Sequence, residues 1–167
     1  MSSQYGISFN QGNCIQCHGC EVACKMWRSA ELGVTWRRVI HIWKGVYPRV
    51  KNLSVSVACM HCTDPACVEA CPENALKKVP ENGTVQLDRD KCIGCRTCLE
   101  VCPFQVPQFG TDEKMQKCDM CIDKIDPAAD KPPCVATCPT EALLFIGVTL
   151  QEKKSMEDYM LEKVSEI

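Results

Sequence analysis

The chain has 167 residues, with 19 basic and 21 acidic side chains and an aromatic content of 6%. This near balance of charge excludes the strong basic excess typical of nucleic-acid-binding proteins, so no nucleic-acid partner is expected. The longest strongly apolar run is 142–148, whereas a membrane-spanning helix needs about 20 apolar residues. We therefore expect no direct membrane span. The N-terminal residues lack the basic and apolar regions of a secretory signal peptide.

Cysteine organises the sequence, because all sixteen cysteines fall into four quartets. In chain order they are Cys14, Cys17, Cys20 and Cys24; Cys59, Cys62, Cys67 and Cys71; Cys92, Cys95, Cys98 and Cys102; and Cys118, Cys121, Cys134 and Cys138. The first and third quartets have the C-x2-C-x2-C-x3-C spacing of bacterial ferredoxins. Since a cubane [4Fe–4S] cluster takes four thiolates, the sequence predicts four such clusters, with all sixteen cysteines as iron ligands.

Short elements are predicted along the chain, because ten prolines and nine glycines interrupt it. Each quartet ends in a Cys-x3-Cys segment, which predicts about one turn of helix ended by the proline that follows it. The segments are 20–24, 67–71, 98–102 and 134–138. In the first of them Lys25 replaces the proline.

Strands are predicted between these helical turns. Apolar residues within 53–57 predict a strand that leads into the second quartet. The turn signal Asn82-Gly83 predicts a hairpin whose arms are a segment beginning at Lys77 and residues 85–88. The apolar run at 143–146 predicts a buried strand.

The C-terminal segment changes in character from residue 149 onward. It is charged, and its apolar residues recur at the spacing of a helix: Met156, Met160, Val164 and Ile167. We expect an amphipathic helix that packs on the body of the protein or on a partner.

Several side chains near the quartets leave two interpretations open. Trp27, Trp36 and Trp43 either form a docking face or pack in the interior. His18 and His61 are expected to pack or form hydrogen bonds rather than bind metal, because each quartet is complete without them. Four basic residues lie beside predicted ligands, where they either stabilise reduced clusters or are solvated loop charges: Lys25, Lys91, Arg96 and Lys117.

Two other uses of cysteine fit the sequence less well. Structural zinc sites also use four thiolates, but a closing Cys-x3-Cys-Pro is typical of iron–sulfur loops. A disulfide framework belongs to exported chains, and the cluster spacings account for every cysteine. We find no Gly-rich nucleotide-binding loop and no nucleophile–base pair, so no catalytic residues are predicted.

Beyond the cysteines, several short motifs resemble those of one known family. They are Gln-Tyr-Gly at 4–6, Trp-Arg-Arg-Val at 36–39, Cys-Met-His-Cys at 59–62, Asp-Pro-Ala-Cys at 64–67, Cys-Ile-Gly-Cys-Arg at 92–96 and Lys-Cys-Asp-Met-Cys at 117–121. Together with the order of the quartets, they resemble the four-cluster iron–sulfur (beta) electron-transfer subunits of the dimethyl sulfoxide reductase or molybdopterin oxidoreductase family. The resemblance covers roughly residues 4–147.

The resemblance implies a ligand set for each of the four clusters. Three cysteines of one quartet combine with the last cysteine of another. The implied sets are Cys14, Cys17, Cys20 and Cys138; Cys118, Cys121, Cys134 and Cys24; Cys59, Cys62, Cys67 and Cys102; and Cys92, Cys95, Cys98 and Cys71. We name them sets A, B, C and D in this order.

The expected fold class is α+β, a double bacterial-ferredoxin-like fold with short helices, short β-hairpins and long loops around four [4Fe–4S] clusters. Residues 1–26 and 110–148 are expected to form an outer lobe, and residues 53–109 an inner lobe. Residues 27–52 are expected to be an insertion or docking segment, and residues 149–167 the C-terminal amphipathic helix.

The function implied by the resemblance is that of a non-catalytic relay for single electrons. Its partners would be a large catalytic subunit with a molybdenum or tungsten bis-pterin cofactor, and a membrane quinone-linked anchor subunit or another redox carrier. The expected location is peripheral to the prokaryotic cytoplasmic membrane, on its outer face after co-export with a partner, or alternatively in the cytoplasm. Other possible roles are a subunit of a soluble formate dehydrogenase or hydrogenase-linked complex, a free polyferredoxin, and a zinc-stabilised interaction module.

Overall fold

Short strands and helices joined by loops make up residues 4–167, the part of the chain that this computed structural model describes. The strands are β1 (Gln4–Phe9), β2 (Arg38–Lys44), β3 (Lys51–Val57), β4 (Leu76–Val79), β5 (Thr84–Leu87), β6 (Gln108–Phe109), β7 (Met115–Gln116) and β8 (Leu143–Val148). The helices are α1 (Gly19–Arg28), α2 (Ala66–Glu69), α3 (Thr97–Glu100), α4 (Pro133–Ala136) and α5 (Leu150–Val164). Within the described range, none of the helices has both the length and the apolar character needed to cross a bilayer.

The strands pair into antiparallel two-stranded ribbons: β1 with β8, β2 with β3, β4 with β5, and β6 with β7. The β1–β8 ribbon joins segments that are far apart in the chain, with Phe9 opposite Leu143. Just beyond it, the Asn10 N–H donates to the Ala142 carbonyl at 2.8 Å. The pairing therefore brings the loop of the first quartet close to the end of the fourth.

The predicted hairpin around Asn82-Gly83 is confirmed as β4–β5, with Gly83 at a φ of +69°. The predicted strand at 53–57 is also confirmed, as β3. That strand begins at Lys51 and pairs with β2, which we did not predict. Strand β1 was missed too, although its apolar residues alternate along 5–9.

Three of the four predicted helical turns are confirmed as helices of four residues: α2, α3 and α4. The first predicted turn is instead part of a longer helix, α1, which has ten residues. The reason is local, because Lys25 stands where the other copies have a proline that cannot continue a helix. Helix α1 packs against α4, and α2 packs against α3.

One detail of the prediction differs from the structure. Strand β8 was expected to be buried, but Leu144 and Ile146 are exposed because the ribbon has only one partner strand and one covered face.

The hairpin β6–β7 spans residue 110. Met115 of this hairpin packs with Leu76 and Val85.

The predicted C-terminal helix is confirmed as α5, and it packs on the body of the protein. Met160 is buried in the main core, and Tyr159 and Val164 pack against the same core. Thr149 caps the helix: its hydroxyl accepts from the Glu152 N–H, and the Glu152 carboxylate accepts from the Thr149 N–H. This reciprocal pair is a capping box, which satisfies two backbone donors at the helix start.

Thr149→Ala is expected to weaken α5 by about 1 kcal/mol, because it removes the side-chain acceptor of the cap. Amide hydrogen exchange in the first turn of α5 should then be about fivefold faster, if local opening governs exchange. Ser155→Ala in the same helix is the control, since that hydroxyl only bonds back to the Gln151 carbonyl. Equal exchange rates in the two variants would contradict the role of the cap.

Candidate metal centres

Two cavities are each lined by four cysteines that come from distant parts of the chain. One is lined by Cys14, Cys17, Cys20 and Cys138, which are set A. The other is lined by Cys71, Cys92, Cys95 and Cys98, which are set D. In both cavities, three cysteines of one quartet face the last cysteine of another. The β1–β8 ribbon and the α2–α3 contact account for these meetings.

The other eight cysteines also meet across the chain. Burial raises the pKa of Cys24 to about 12, and the charges of Cys134 and Cys121 add to the effect. Burial likewise raises the pKa of Cys102, and the charge of Cys59 adds to it. Cys24 therefore lies among the thiols of the fourth quartet, and Cys102 lies beside the second.

The first two cysteines of each quartet are oriented by a shared backbone conformation. The residue before the second cysteine of each quartet has a left-handed conformation: Gln16 (φ 62°), His61 (φ 52°), Gly94 (φ 71°) and Met120 (φ 58°). This conformation costs an L-residue about 1–2 kcal/mol. Its repetition at one position in all four loops indicates a functional constraint. Sequence reasoning missed the pattern, although Gly94 was a visible signal for it.

The segments after the Cys-Pro pairs have a second shared conformation. Asn74, Gln105 and Glu141 each lie three residues after the closing cysteine of their quartet, with φ values of 48°, 48° and 51°. The turn directs backbone N–H groups at the closing sulfur. At Cys138, burial acts to raise the pKa, but the N–H groups of Leu143, Thr140 and Ala142 outweigh burial and lower it. Such donors stabilise the thiolate form that binds iron.

Most of the other buried thiols hold their protons strongly in the absence of a cation. Burial, reinforced by neighbouring thiolates, raises the pKa of Cys62 to about 12 and the pKa values of Cys67 and Cys98 to about 11. A bound cation reverses this balance, because ligating thiolates give up their protons to the metal. Four converging soft thiolates in a mostly apolar wall thus fit an iron–sulfur cluster chemically.

Only Cys17 and Cys95 are exposed among the sixteen cysteines, all of which lie in the described range as free thiols. They belong to different cavities, Cys17 to that of set A and Cys95 to that of set D. An exposed apolar residue lies two positions before each of them, Ile15 and Ile93 respectively. The structure therefore has two cysteine loops that a partner protein can reach.

The two histidines of the cysteine loops form hydrogen bonds, as predicted. His61 is fully buried, and its Nδ1 accepts from the Val85 N–H at 2.9 Å. Burial, followed by the charges of Lys117, Lys153 and Lys78, holds the pKa of His61 well below its ordinary value, so the ring is neutral. His18 lies at the surface, with its ring nitrogens 3.1 Å from Glu21 and 2.9 Å from His41.

The basic residues beside the ligands divide into two kinds. Lys117 is buried, and its ammonium group donates to the carbonyls of Val85 and Cys118. Lys25 is half-buried, and it donates to two backbone carbonyls at 2.8 Å. Lys91 and Arg96 are exposed. Lys91 pairs with Asp88 at 3.5 Å, and Arg96 lies at the rim of the cavity of set D, 5.1 Å from the ring centre of Phe109.

The tryptophans also divide between interior and surface. Trp36 is half-buried, its indole N–H donates to Gln116 at 3.2 Å, and the Arg28 guanidinium lies 5.5 Å from its ring centre. Trp43 is 68% exposed and Trp27 is 45% exposed. Trp36 therefore packs in the interior, whereas a docking role for Trp43 and Trp27 stays a prediction.

Helix α5 anchors the loop of the second quartet. The Glu157 carboxylate accepts from both the N–H and the hydroxyl of Thr63, each at 2.8 Å. Lys153 is buried, and its ammonium group donates to the carbonyls of Tyr5 and Gly83. The C-terminal helix therefore connects β1, the β4–β5 turn and the residue that follows Cys62.

Comparisons with known proteins agree with this geometry. Residues 50–148 match the family described as 4Fe-4S dicluster domain, and residues 11–27 match the family described as 4Fe-4S binding domain. The chain is 39% identical to a component of the anaerobic dimethyl sulfoxide reductase of Escherichia coli, over 92% of this chain and 78% of that protein. It is 37% identical to the formate dehydrogenase iron-sulfur subunit of Wolinella succinogenes, over 86% of this chain and 82% of that protein.

A third relative is a sulfite dehydrogenase subunit of Allochromatium vinosum, which is 34% identical over 86% of this chain and 68% of that protein. These relatives are subunits of different oxidoreductases, and two ferredoxin-type families match the segments that contain the cysteines. The chain belongs to the family of iron–sulfur electron-transfer subunits of molybdopterin oxidoreductases, and it is a non-catalytic subunit that carries [4Fe–4S] clusters.

Proposed function

We propose that the chain relays single electrons through four [4Fe–4S] clusters, held by sets A, B, C and D. The observation that carries this proposal is the meeting of Cys138 with Cys14, Cys17 and Cys20 in one cavity, across more than a hundred residues of sequence. The same arrangement of three plus one recurs in the cavity of set D. When bound, the clusters supply one-electron redox chemistry, and the chain supplies the thiolates and N–H donors that hold them.

The proposed architecture is a double ferredoxin. The contact of α1 with α4 and the β1–β8 ribbon support an outer lobe built from residues 1–26 and the segment that ends at 148. The β4–β5 hairpin and the contact of α2 with α3 support an inner lobe within 53–109. Because the β6–β7 hairpin packs with the inner hairpin, we place the return to the outer lobe after Gln116.

The two exposed cysteine loops are the proposed ends of the relay. Electron transfer between proteins needs a cluster close to the surface, and only the loops of Cys17 and Cys95 meet that need among the sixteen cysteines. We propose that one end meets a large catalytic subunit with a molybdenum or tungsten pterin cofactor. The other end would meet a quinone-linked membrane subunit or another redox carrier. The exposed Trp43 and Trp27 add apolar surface for such contacts.

Formate dehydrogenase is a second candidate for the complex, because a formate dehydrogenase subunit is 37% identical to the chain. Purification of the tagged chain from its source under anaerobic conditions separates the candidates by the catalytic subunit that accompanies it. A chain that purifies alone, as a stable monomer, would favour a free polyferredoxin.

The proposed location is the outer face of the prokaryotic cytoplasmic membrane, reached by co-export with a catalytic partner, and the alternative is the cytoplasm. Fractionation of cells that express both proteins tests it. Release of the chain by osmotic shock supports the outer face, and retention with cytoplasmic markers supports the alternative.

Metal analysis of anaerobically purified chain tests the relay itself. We expect about sixteen irons and sixteen acid-labile sulfides per chain, since each cubane contains four of each. Reduction should produce paramagnetic centres that interact with one another. Zinc without sulfide would refute the proposal and would favour the interaction module. About eight irons would leave room for only two of the four sets.

A further inference from the structure

Arg37 is a buried cation without a carboxylate partner. Its side chain lies just before β2, and the residue is only 4% exposed. One guanidinium nitrogen donates to the Ser56 hydroxyl at 3.1 Å, while the buried Nε has no hydrogen-bond partner. None of the ion pairs within residues 4–167 includes Arg37. An uncompensated charge in such a place is strongly destabilising.

The groups around Arg37 include thiols of both outer sets. The Ser56 hydroxyl that accepts from Arg37 lies 3.6 Å from the sulfur of Cys20, a member of set A. Arg37 also lines a cavity together with Cys59 of set C and with Met120, which lies in the first loop of the fourth quartet. Burial acts to lower the pKa of Arg37, but the charges of nearby thiols outweigh burial and raise it: Cys134, Cys118 and Cys24 of set B, and Cys20 of set A. The guanidinium therefore lies close to thiols of both outer sets.

The charges of arginine and of an iron–sulfur cluster explain why this position matters for the cluster potentials. Arginine keeps its charge under all ordinary conditions, so it cannot escape the cost of burial by losing a proton. A cubane with four thiolates is net negative and becomes more negative on reduction. The net charge of its surroundings is one of the factors that set its potential. Bound clusters would therefore supply the negative counter-charge that Arg37 lacks. That negative charge would increase when the clusters are reduced.

We propose that Arg37 is the shared counter-charge of the two outer-lobe clusters, and that it raises the reduction potentials of the clusters held by sets A and B. The inference rests on the proposed four-cluster relay. In the step concerned, one electron leaves a neighbouring reduced cluster and enters an outer cluster. No bond is formed or broken and no proton moves. Arg37 acts as a fixed positive charge beside the clusters, and it takes no part in covalent chemistry.

The test is a potentiometric titration, followed by electron paramagnetic resonance, of purified chain with full iron content. Arg37→Gln removes the charge but keeps a hydrogen-bond donor for Ser56. Both outer-lobe clusters should become at least tenfold harder to reduce at a given ambient potential, which is about 59 mV for a one-electron couple. Arg37→Lys keeps the charge and should restore potentials close to those of the wild type.

Two internal controls separate this effect from a general change in charge or structure. Arg49→Gln removes the same charge from the exposed turn between β2 and β3, where solvent screens it, and should leave all potentials unchanged. The cluster of set D, whose signal Cys95→Ser identifies, should keep its potential in Arg37→Gln. Equal shifts in all clusters, or no shift in the outer ones, would overturn the proposal.

If Arg37→Gln loses iron, the assembly and the potentials of Arg37→Lys decide the question. Assembly of the lysine variant with potentials near the wild type supports the charge. Failure of the lysine variant to assemble overturns the inference, because the shape of the guanidinium would then be what the fold requires. A wild-type chain without sixteen irons would instead contradict the relay itself, so the two failures are distinguishable.

Discussion

Cys24→Ser is expected to alter the cluster of Cys118, Cys121 and Cys134, and to leave the cluster of its own sequence neighbours intact. Cys24 lies on α1, where the charges of Cys134 and Cys121 act on its thiol. The other three cysteines of its quartet do not need it, since Cys138 lines the cavity of set A with them. Serine is a poor substitute for a thiolate toward iron, which prefers soft ligands.

Mössbauer and electron paramagnetic resonance spectra of anaerobic samples measure the result. One of the four proposed clusters should be lost or should change its signal, with up to a quarter of the iron released. Cys20→Ser is the matched control, because Cys20 lies on the same helix one turn earlier but belongs to set A. If both variants change the same signal, the assignment of Cys24 to the fourth quartet is wrong.

The second large effect is expected from Gly94→Ala in the third quartet. Gly94 has a φ of +71°, and a Cβ there would lie 2.5 Å from the backbone carbonyl oxygen of Glu113. The substitution therefore combines a backbone strain of about 1–2 kcal/mol with a steric clash that only a backbone shift relieves. Because Gly94 lies between Cys92 and Cys95, the shift should release the cluster of set D and about a quarter of the bound iron.

Two other glycines separate strain from clash. Gly33 has a φ of +86°, but its Cβ would meet no atom within 4 Å, so Gly33→Ala carries strain alone. Gly147 in β8 is not in the left-handed region, and its Cβ would also meet nothing within 4 Å. We expect full iron content in Gly147→Ala and slightly reduced stability in Gly33→Ala. Loss of iron in all three variants would show that the effect is not specific to the third loop.

Both predictions depend on how the loops present their sulfurs. The left-handed residues in the first C-x-x-C pair of each quartet turn the backbone in the same way, although three of the four are not glycine. Keeping Gln16, His61 and Met120 in that conformation costs stability, which cluster binding offsets. Chains without iron are therefore expected to lose these loop conformations first.

The position of Arg37 links the chemistry of the relay to the fold. Its hydroxyl partner Ser56 lies on β3, and β3 pairs with β2, which follows Arg37 in the chain. The segment between the first two quartets thus has an interior side that carries a charge. Trp43, farther along β2, remains on the surface.

The spacing of the cysteines by itself determined the class of cofactor and the helical turns that end the last three quartets, and it predicts sixteen ligands. These features are local, because a Cys-x3-Cys segment followed by proline limits its own backbone wherever it lies. The same holds for the Asn82-Gly83 turn and for the Thr149 cap, where the residues that form the hydrogen bonds are neighbours in sequence.

Only the tertiary structure decided which segments meet. The pairing of β1 with β8, the burial of Arg37 and the exposure of Trp43 involve residues far apart in the chain, and no local preference specifies them. The pattern at 38–44 fits a strand, but its partner depends on which faces are left to cover once the cysteine loops have closed. The spacing of ligands is therefore readable in the sequence, whereas the charges and surfaces around them follow from packing of the whole chain.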